Sequence, residues 1–168
     1  YLADSNVFQM FTFPLLEGDP ASVLNRPNTI VLSESTAKKY FGDNNPIGRS
    51  LELDKEMIFT IVGIIEDIPE NSHLKFDFLL SWPDVRNIYG PEFEEAWGHT
   101  GVFTYLTFKK GANIESFRTQ LAELIEEENG EMLKYYKLKM ELPLQALKEI
   151  HLDSHIMQEH EQNGDRNR

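Results

Sequence analysis

The sequence predicts an α+β fold with two lobes, a mixed, mainly-β lobe followed by a βαβ unit. Short β-branched or alternating runs, separated by turn residues, fill the first part of the chain. A strand, a long amphipathic helix and a second strand are then predicted within residues 102–142. The composition, with 40% hydrophobic and 26% charged residues in a chain of 168, is that of a globular protein.

The first lobe contains a predicted buried strand followed by a short helix. Residues 29–32 form a β-branched run, which is typical of a strand. Ser33 and Ser35 are N-cap candidates for a helix over residues 36–41. Gly42 follows at the position where a helix commonly ends in a left-handed conformation.

A β-hairpin is predicted next, from residues 51–53 and 57–65, with its turn at residues 54–56. The second strand is apolar on both faces, so we expect it to be the central strand of its sheet. The two predicted faces are Ile58, Val62 and Ile64 against Phe59, Ile61 and Ile65. Alternation predicts a further strand over residues 74–80, and Ser81 is a cap candidate for a short helix over residues 83–89.

The last third predicts the βαβ unit. Residues 102–108 and 137–142 are its strands. Asn113 caps the helix between them, which we expect to stop at Asn129 and Gly130. Such a crossover is almost always right-handed.

These patterns divide the chain into three regions. Residues 1–98 are predicted to form the mainly-β lobe. Residues 99–158 form the βαβ lobe and an arm that follows it in the chain, and residues 159–168 form a disordered tail. The first residue is Tyr1 and the last residues are polar, so we expect both ends to be internal to a longer protein.

Charge and cysteine content exclude several classes of function. There are 16 Lys and Arg residues against 28 Asp and Glu, giving a net charge of −12. This predicts no nucleic-acid partner, because phosphate binding needs clustered basic residues. The absence of cysteine excludes disulfides, thiol nucleophiles and thiolate metal sites. The apolar run at residues 61–65 is far shorter than the roughly 20 residues of a membrane span.

Three histidines are the sharpest metal-like feature. His151 and His155 lie four residues apart and would share one face of a helix, with His160 beyond them. A hydrolytic zinc motif places Glu directly after its first His, and Leu152 occupies that position here. We interpret the three as part of a polar arm.

Ser72 and His73, with Asp67 or Asp77 nearby, suggest a catalytic triad. Adjacent residues on an extended chain point in opposite directions, and the sequence has no Gly-x-Ser-x-Gly elbow. We interpret Ser72 as a turn residue and His73 as a strand-edge residue.

Two other motifs also favour structural roles. The glycines at positions 42 and 48 flank a loop that matches neither a phosphate-binding nor a calcium-binding pattern. The acidic run Glu126–Glu128 with Glu131 is typical of a solvated helix face, with a docking surface for a basic partner as the alternative. We therefore assign no catalytic, cofactor-binding or metal-binding residue, and no cofactor.

Three stretches of the chain resemble one known family. They are residues 8–20 (FQMFTFPLLEGDP), 30–53 (IVLSESTAKKYFGDNNPIGRSLEL) and 59–81 (FTIVGIIEDIPENSHLKFDFLLS). They resemble the extracytoplasmic core domain of MacB/FtsX-type ABC transporter permeases. Residues 142–156 (LPLQALKEIHLDSHI) are similar to the segment that precedes the second membrane helix of that family.

The resemblance implies a periplasmic domain carried between two transmembrane helices of a permease in the inner membrane. In that family a mainly-β lobe is inserted between two porter-like βαβ units. Residues 1–98 would be the inserted lobe and residues 102–142 the second βαβ unit, with the first unit outside this sequence. The unpaired edge of that sheet predicts a dimer along residues 102–108 or 137–142.

The function implied by the resemblance is non-catalytic. The domain would couple cytoplasmic ATP hydrolysis to export or extraction work outside the membrane. The implied partners are the parent transmembrane helices, an ATP-binding subunit, a second permease protomer, and a periplasmic adaptor or lipoprotein. The alternatives are a free-standing ligand-binding or sensor domain, or a metal enzyme that uses His151 and His155.

Overall fold

A computed structural model describes residues 1–53, 57–95 and 101–150. It confirms the α+β class, because it combines a mixed β-sheet with helices. The chain divides into two compact units, Tyr1–Ala96 and Trp97–Arg168.

The first unit is built on one mixed sheet. Its strands within the described residues are β1 (Leu2–Ala3), β2 (Leu15–Glu17), β3 (Thr29–Ser33), β4 (Ser50–Leu53), β5 (Met57–Ile65) and β6 (Phe78–Ser81). Its α-helices there are α1 (Val7–Met10), α2 (Glu34–Phe41) and α3 (Val85–Tyr89), and short 3₁₀ turns span Trp82–Asp84 and Pro91–Glu95.

Strand β5 lies inside the sheet, as predicted. The sheet order is β1-β6-β3-β5-β2, and β4 also pairs with β5. β3 runs parallel to β5 and antiparallel to β6, while β1 runs parallel to β6. β4 and β5 pair antiparallel, which confirms the predicted hairpin pairing; its turn at residues 54–56 lies outside the described residues.

A β-bulge interrupts the pairing of β3 with β5. Ile30 is opposite Ile61, but Val31 is opposite Gly63, so Val62 is an extra residue on β5. A bulge of this kind shifts the alternation of side chains by one position and increases the local twist.

The bulge makes the predicted faces of β5 wrong at the end of the strand. Ile64 packs in the same buried cluster as Phe59 and Ile61, whereas Ile65 belongs to the cluster on the other side. Ile58, also predicted as a core residue, is 62% exposed on the hairpin. Strict period-two alternation therefore fails where the strand takes one extra residue.

Both faces of the sheet are covered by apolar clusters. One cluster joins α2 to the sheet through Ile30, Leu32, Ala37, Phe59, Ile61, Ile64 and Leu80. The other joins α1 and the segment after β2 to the sheet through Val7, Val23, Leu24, Val31, Ile65 and Leu79. All five residues of β3 are buried, as expected for a strand between two packed layers.

Helix α2 has the predicted caps, with its start two residues earlier than expected. Ser33 is the N-cap, and its hydroxyl accepts a hydrogen bond from the Thr36 N–H at 3.4 Å. At the other end, Gly42 adopts a φ of 60°, and its N–H donates to the Lys38 carbonyl at 2.9 Å. Lys38 and Lys39 in the last turn suit the negative end of the helix dipole.

The strand predicted over residues 74–80 is much shorter in the structure. β6 begins only at Phe78, because the residues before it form a turn. The Ser72 hydroxyl accepts a hydrogen bond from the Leu74 N–H at 3.2 Å. The Asp77 carbonyl then accepts the Ser33 N–H at 3.0 Å, at the edge of the ladder between β3 and β6.

A buried carboxylate joins the end of β6 to the start of β3. Asp84 is 1% exposed, and its Oδ1 accepts the backbone N–H of Asn28 at 2.8 Å. Its Oδ2 accepts the Ser81 hydroxyl at 2.7 Å. Ser81 was predicted to cap the short helix, but it makes no capping bond and donates to Asp84 instead.

The second unit contains the long helix α4 (Ile114–Tyr136), followed by a 3₁₀ turn at Leu147–Glu149. Asn113 caps α4 as predicted, since its Oδ1 accepts the Ser116 N–H at 3.0 Å. The predicted stop at Asn129 and Gly130 is wrong, because the helix continues for six more residues after Gly130. Both residues are buried, and that burial outweighs the roughly 1 kcal/mol helical penalty of glycine.

The two strands predicted beside α4 are not found among the described residues. Residues 102–108 and 137–142 carry no strand assignment there. Val102, Leu106, Leu138 and Leu142 are all exposed. A strand needs a laterally paired neighbour and a packed face, and the described residues supply neither for these segments. Only the helix of the predicted βαβ unit is reproduced.

Replacing Gly18 with Ala is expected to destabilise the first unit strongly. Gly18 has a φ of 108°, and a Cβ there would lie 2.7 Å from the Val62 carbonyl oxygen. Gly48, with a φ of 78° and nothing within 4 Å of such a Cβ, is the matched control. We expect Gly48→Ala to cost about 1 kcal/mol from the left-handed backbone alone. Gly18→Ala should cost about 2 kcal/mol more, from overpacking against the bulge. Urea denaturation measures both, and equal losses would contradict the close packing at Val62.

Replacing Asp84 with Ala is expected to lower the free energy of unfolding by about 2–3 kcal/mol, because the buried Ser81 hydroxyl and the part-buried Asn28 N–H lose their acceptor. Asp84→Asn keeps the acceptor for the Asn28 N–H and should cost less. Thermal and urea unfolding of both variants test this. Similar stabilities for the Ala variant and the parent chain would show that water or another group satisfies these donors.

Candidate functional site

An acidic recess lies between the start of α2 and residues 66–77. It is open, with a volume of about 670 Å³, and its lining residues are Ser35, Asp67, Ile68, Glu70, Lys75, Phe76 and Asp77. Three carboxylates and one ammonium group face this space. The recess is therefore a region of negative potential that attracts cations or basic groups.

Two of the three carboxylates of the recess hold the start of α2. Asp67 Oδ1 accepts the Ser35 N–H at 3.0 Å, and Asp77 Oδ1 accepts the Ser33 hydroxyl at 3.2 Å. The backbone hydrogen bond from Ser35, followed by its hydroxyl, lowers the pKa of Asp67 below its ordinary value of 3.8. These carboxylates act as acceptors that fix a helix N-terminus, which the helix dipole also favours.

The sequence predicted the serines of this arrangement but not their acidic partners. Ser33 and Ser35 were predicted as cap candidates, but their acidic partners lie 44 and 32 residues away along the chain. No periodicity connects such distant positions. Among the described residues, no group of three or more His, Asp or Glu side chains is arranged to hold a metal ion.

The residues of the triad alternative, Ser72 and His73 with Asp67 or Asp77, have structural contacts. The Ser72 hydroxyl is engaged by the Leu74 N–H, and the His73 ring lies 6.0 Å from the ring of Phe11. Asp67 and Asp77 are both bonded to the start of α2. The structure thus assigns Ser72, Asp67 and Asp77 to hydrogen bonds that hold a turn and the start of α2.

The loop between Gly42 and Gly48 is a helix-to-strand turn. The Asn44 N–H donates to the Phe41 carbonyl at 3.2 Å, and the Ile47 N–H donates to Asn45 Oδ1 at 2.8 Å. The Gly48 N–H then donates to the Ile61 carbonyl at 2.8 Å. The N–H groups of Asn44, Ile47 and Gly48 therefore all have acceptors within the chain, so they are not free to bind a ligand.

His151, His155 and His160 lie outside the described residues. The acidic run Glu126–Glu128 with Glu131 is exposed on α4. Glu126 pairs with Lys134, and this hydrogen bond raises the pKa of that lysine above its ordinary value of 10.5.

The C-terminal end of α4 combines exposed aromatic rings with lysines. We call this surface the terminal patch: Met132, Lys134, Tyr135, Tyr136, Lys137, Leu138 and Lys139. The helix ends there in a Schellman-type arrangement, in which the Leu138 N–H donates to the Leu133 carbonyl at 2.9 Å. Lys137 occupies the left-handed position, with φ 54° and ψ 38°, where glycine is usual.

An open groove of about 590 Å³ runs between α4 and the segment that follows it. Its apolar lining includes Leu121, Ile125, Leu133, Met140 and Leu142, and Arg118, Lys134, Lys137 and Lys139 contribute positive charge. No helix among the described residues is both long enough and apolar enough to cross a membrane.

Asp67 predicts a defined pH dependence of stability. The pKa of Asp67 is lower in the folded chain than in the unfolded chain. Asp67 therefore stabilises the fold fully above its unfolded-state pKa near 3.8, and this stabilisation is lost as the pH falls through its folded-state pKa. Asp67→Asn should therefore reduce stability by about 1 kcal/mol above pH 5, as expected for an exposed, charge-assisted hydrogen bond. The difference from the parent chain should shrink below about pH 4.

Thermal unfolding at stepped pH values measures this difference. Ser35→Ala is the matched companion, because it removes the hydroxyl bond but keeps the stronger backbone bond to Asp67. It should show a smaller effect with the same pH trend. A difference between Asp67→Asn and the parent that stays constant down to pH 3 would contradict this account.

Comparisons with known proteins agree with the predicted resemblance. The sequence profile of the MacB-like periplasmic core domain matches residues 1–124. A sequence comparison with curated proteins finds no match.

Two solved structures are similar. One is a domain assigned to a permease protein from Porphyromonas gingivalis, with 28% identity and a TM-score of 0.58, covering 76% of this chain and 58% of that chain. The other is the periplasmic region of MacB from Actinobacillus actinomycetemcomitans, with 19% identity and a TM-score of 0.50, covering 76% of this chain and 55% of that chain. At that identity the second likeness shows the fold alone.

This chain spans somewhat more than half the length of each of these solved chains. The profile match covers well over half of the 168 residues and includes all of the first unit. The family predicted from residues 8–20, 30–53 and 59–81 is therefore confirmed. The chain belongs to the MacB-like periplasmic core domain family.

Proposed function

We propose that this chain is the extracytoplasmic, non-catalytic domain of an ABC transporter permease. In this role it relays movement driven by cytoplasmic ATP hydrolysis to export or extraction work outside the inner membrane. The observation that carries the proposal is the family match over residues 1–124. The similarity to the permease domain from Porphyromonas gingivalis supports the same context.

The backbone of the first unit supports a force-relay role. β1 pairs in parallel with β6, with Leu2 opposite Leu80, and the Leu80 N–H donates to the Tyr1 carbonyl at 2.8 Å. A displacement of the chain at Tyr1 is thus delivered directly to β6. From β6 it passes through β3 to β5 along paired strands, with one β-bulge in the pairing of β3 with β5.

Packing on both faces of the sheet keeps this path stiff. Close-packed interiors transmit displacement because they compress little. The two apolar clusters leave β3 wholly buried, so the strand cannot shift without moving both layers. A lever of this kind needs rigidity and attachment rather than a reactive group.

The proposed partners follow from this role. They are the transmembrane helices of the parent permease, an ATP-binding subunit, a second permease protomer, and a periplasmic adaptor or lipoprotein. We place the domain on the periplasmic side of the inner membrane. Its net charge of −12 suits a domain held away from an anionic lipid surface.

A flexible linker inserted in the parent transporter immediately before Tyr1 tests the relay. We expect the linker to reduce transport several-fold while ATP hydrolysis continues, because displacement would no longer reach β1 under tension. The matched control is the same linker placed within residues 43–45, which are exposed and lie outside the proposed path. Both variants are reconstituted in lipid vesicles, where ATP hydrolysis and transport are measured together.

Normal transport with the linker before Tyr1 would overturn the relay. Equal loss of transport with both linkers would also contradict it, since the loop insertion lies off the path. A parent protein with no membrane-spanning segment and no ATP-binding partner would overturn the whole proposed function.

A further inference from the structure

The terminal patch exposes more apolar surface than a solvated helix end requires. Tyr135 and Tyr136 are 80% and 64% exposed, the two highest values among the large apolar side chains of the described residues. Leu138 is 60% exposed, and Met132 is also exposed. Exposed apolar side chains that lie together mark interaction surfaces far more often than isolated ones do.

The patch is also organised in advance of binding. The rings of Tyr135 and Tyr136 contact each other edge to face, with centroids 4.9 Å apart. Met132 lies three and four residues before them, so the three side chains share one side of α4. The left-handed conformation of Lys137 turns the chain sharply, and Leu138 follows with its side chain 60% exposed. Aromatic side chains held in this way lose little conformational freedom on binding.

Charge identifies the kind of partner. Residues 132–139 contain three lysines and no acidic residue, in a chain with a net charge of −12. Lys134 and Lys139 pair with Glu126 and Glu141, but these pairs are exposed and can be exchanged for a partner's carboxylates. Hydrogen bonds to these glutamates raise the pKa of both lysines, so both stay charged at neutral pH.

Two other occupants fit this charge pattern less well. A second copy docked patch to patch about a two-fold axis would bring lysines against lysines. An anionic lipid surface would attract the lysines but repel the preceding turns of α4, which carry Glu126–Glu128 and Glu131. A protein surface can place acidic groups opposite the lysines alone.

We propose that the terminal patch is a docking surface for a partner protein that presents an apolar centre rimmed by acidic side chains. Tyr135 and Tyr136 are the anchors, and Lys134, Lys137 and Lys139 set the charge preference. This docking surface goes beyond the proposed relay. It is tested on the chain itself, so its failure would leave the relay untouched.

The test uses two short synthetic helical peptides with the same leucine face. One peptide has glutamates flanking that face, and the other has lysines at the same positions. Binding to the full chain is followed by fluorescence anisotropy of the labelled peptides. We expect the acidic peptide to bind about tenfold more tightly than the basic one, and to weaken as salt is raised.

The variants separate the patch from the rest of the chain. The double variant Tyr135→Ser with Tyr136→Ser should weaken binding of the acidic peptide about tenfold or more, the usual loss for a central aromatic pair. Lys137→Glu should weaken it several-fold through charge alone. Tyr40→Ser, at an exposed tyrosine of the first unit, is the control and should leave binding unchanged. Circular dichroism confirms that each variant remains folded.

Several outcomes would overturn the proposal. These are equal binding of the two peptides, no binding of the acidic peptide at millimolar concentration, or full binding by the tyrosine double variant. Sedimentation that shows self-association lost in the double variant would assign the patch to a second copy. Binding to vesicles of phosphatidylglycerol and phosphatidylethanolamine, lost in the same variant, would assign it to a lipid surface.

Discussion

The structure of the first unit depends on β5, which takes part in three strand pairings and in both apolar clusters. This strand pairs with β3 along one edge and with β4 and β2 along the other, while its side chains enter both apolar clusters. The extra residue at Val62 decides which cluster each later side chain enters, because it puts Ile64 on the same face as Phe59 and Ile61 and leaves Ile65 on the other face. Positions 18 and 63 require glycine, because a Cβ would be too close to a backbone carbonyl oxygen at each. The distance would be 2.7 Å to the Val62 oxygen from position 18 and 3.2 Å to the Glu17 oxygen from position 63.

The sequence predicted those elements whose signals are local. The β-branched run of β3, the hairpin strands β4 and β5, and the caps of α2 all depend on neighbouring residues. The bulge at Val62 was not predictable, because it exists only in the register between β3 and β5. The continuation of α4 through Gly130 was not predictable either, because the burial of Asn129 and Gly130 is not visible in the local glycine signal. The Asp67 and Asp77 contacts in the acidic recess also join residues far apart in the chain.

Family membership and geometry contribute different parts of the functional account. The profile match places the chain among MacB-like periplasmic core domains. The ladder from β1 through β6 and β3 to β5 offers a mechanical path that the family name alone does not describe. Two of the three carboxylates of the recess, those of Asp67 and Asp77, accept hydrogen bonds from the start of α2, so they contribute rigidity there. At the far end of α4, the exposed tyrosines have no comparable structural task in the described residues, which is why a partner is the simplest account of them.

The account requires that β1 and β6 move as one body with the centre of the sheet. Native-state hydrogen exchange of the parent protein measures this directly, by comparing the amide of Ala3 with those of Leu80, Ile30 and Ile61. If β1 is part of the lever, its hydrogen-bonded amide should exchange only in the opening that also releases β6 and β3. Exchange of the Ala3 amide through local fraying, while β3 and β5 remain protected, would show that displacement at Tyr1 does not reach the sheet.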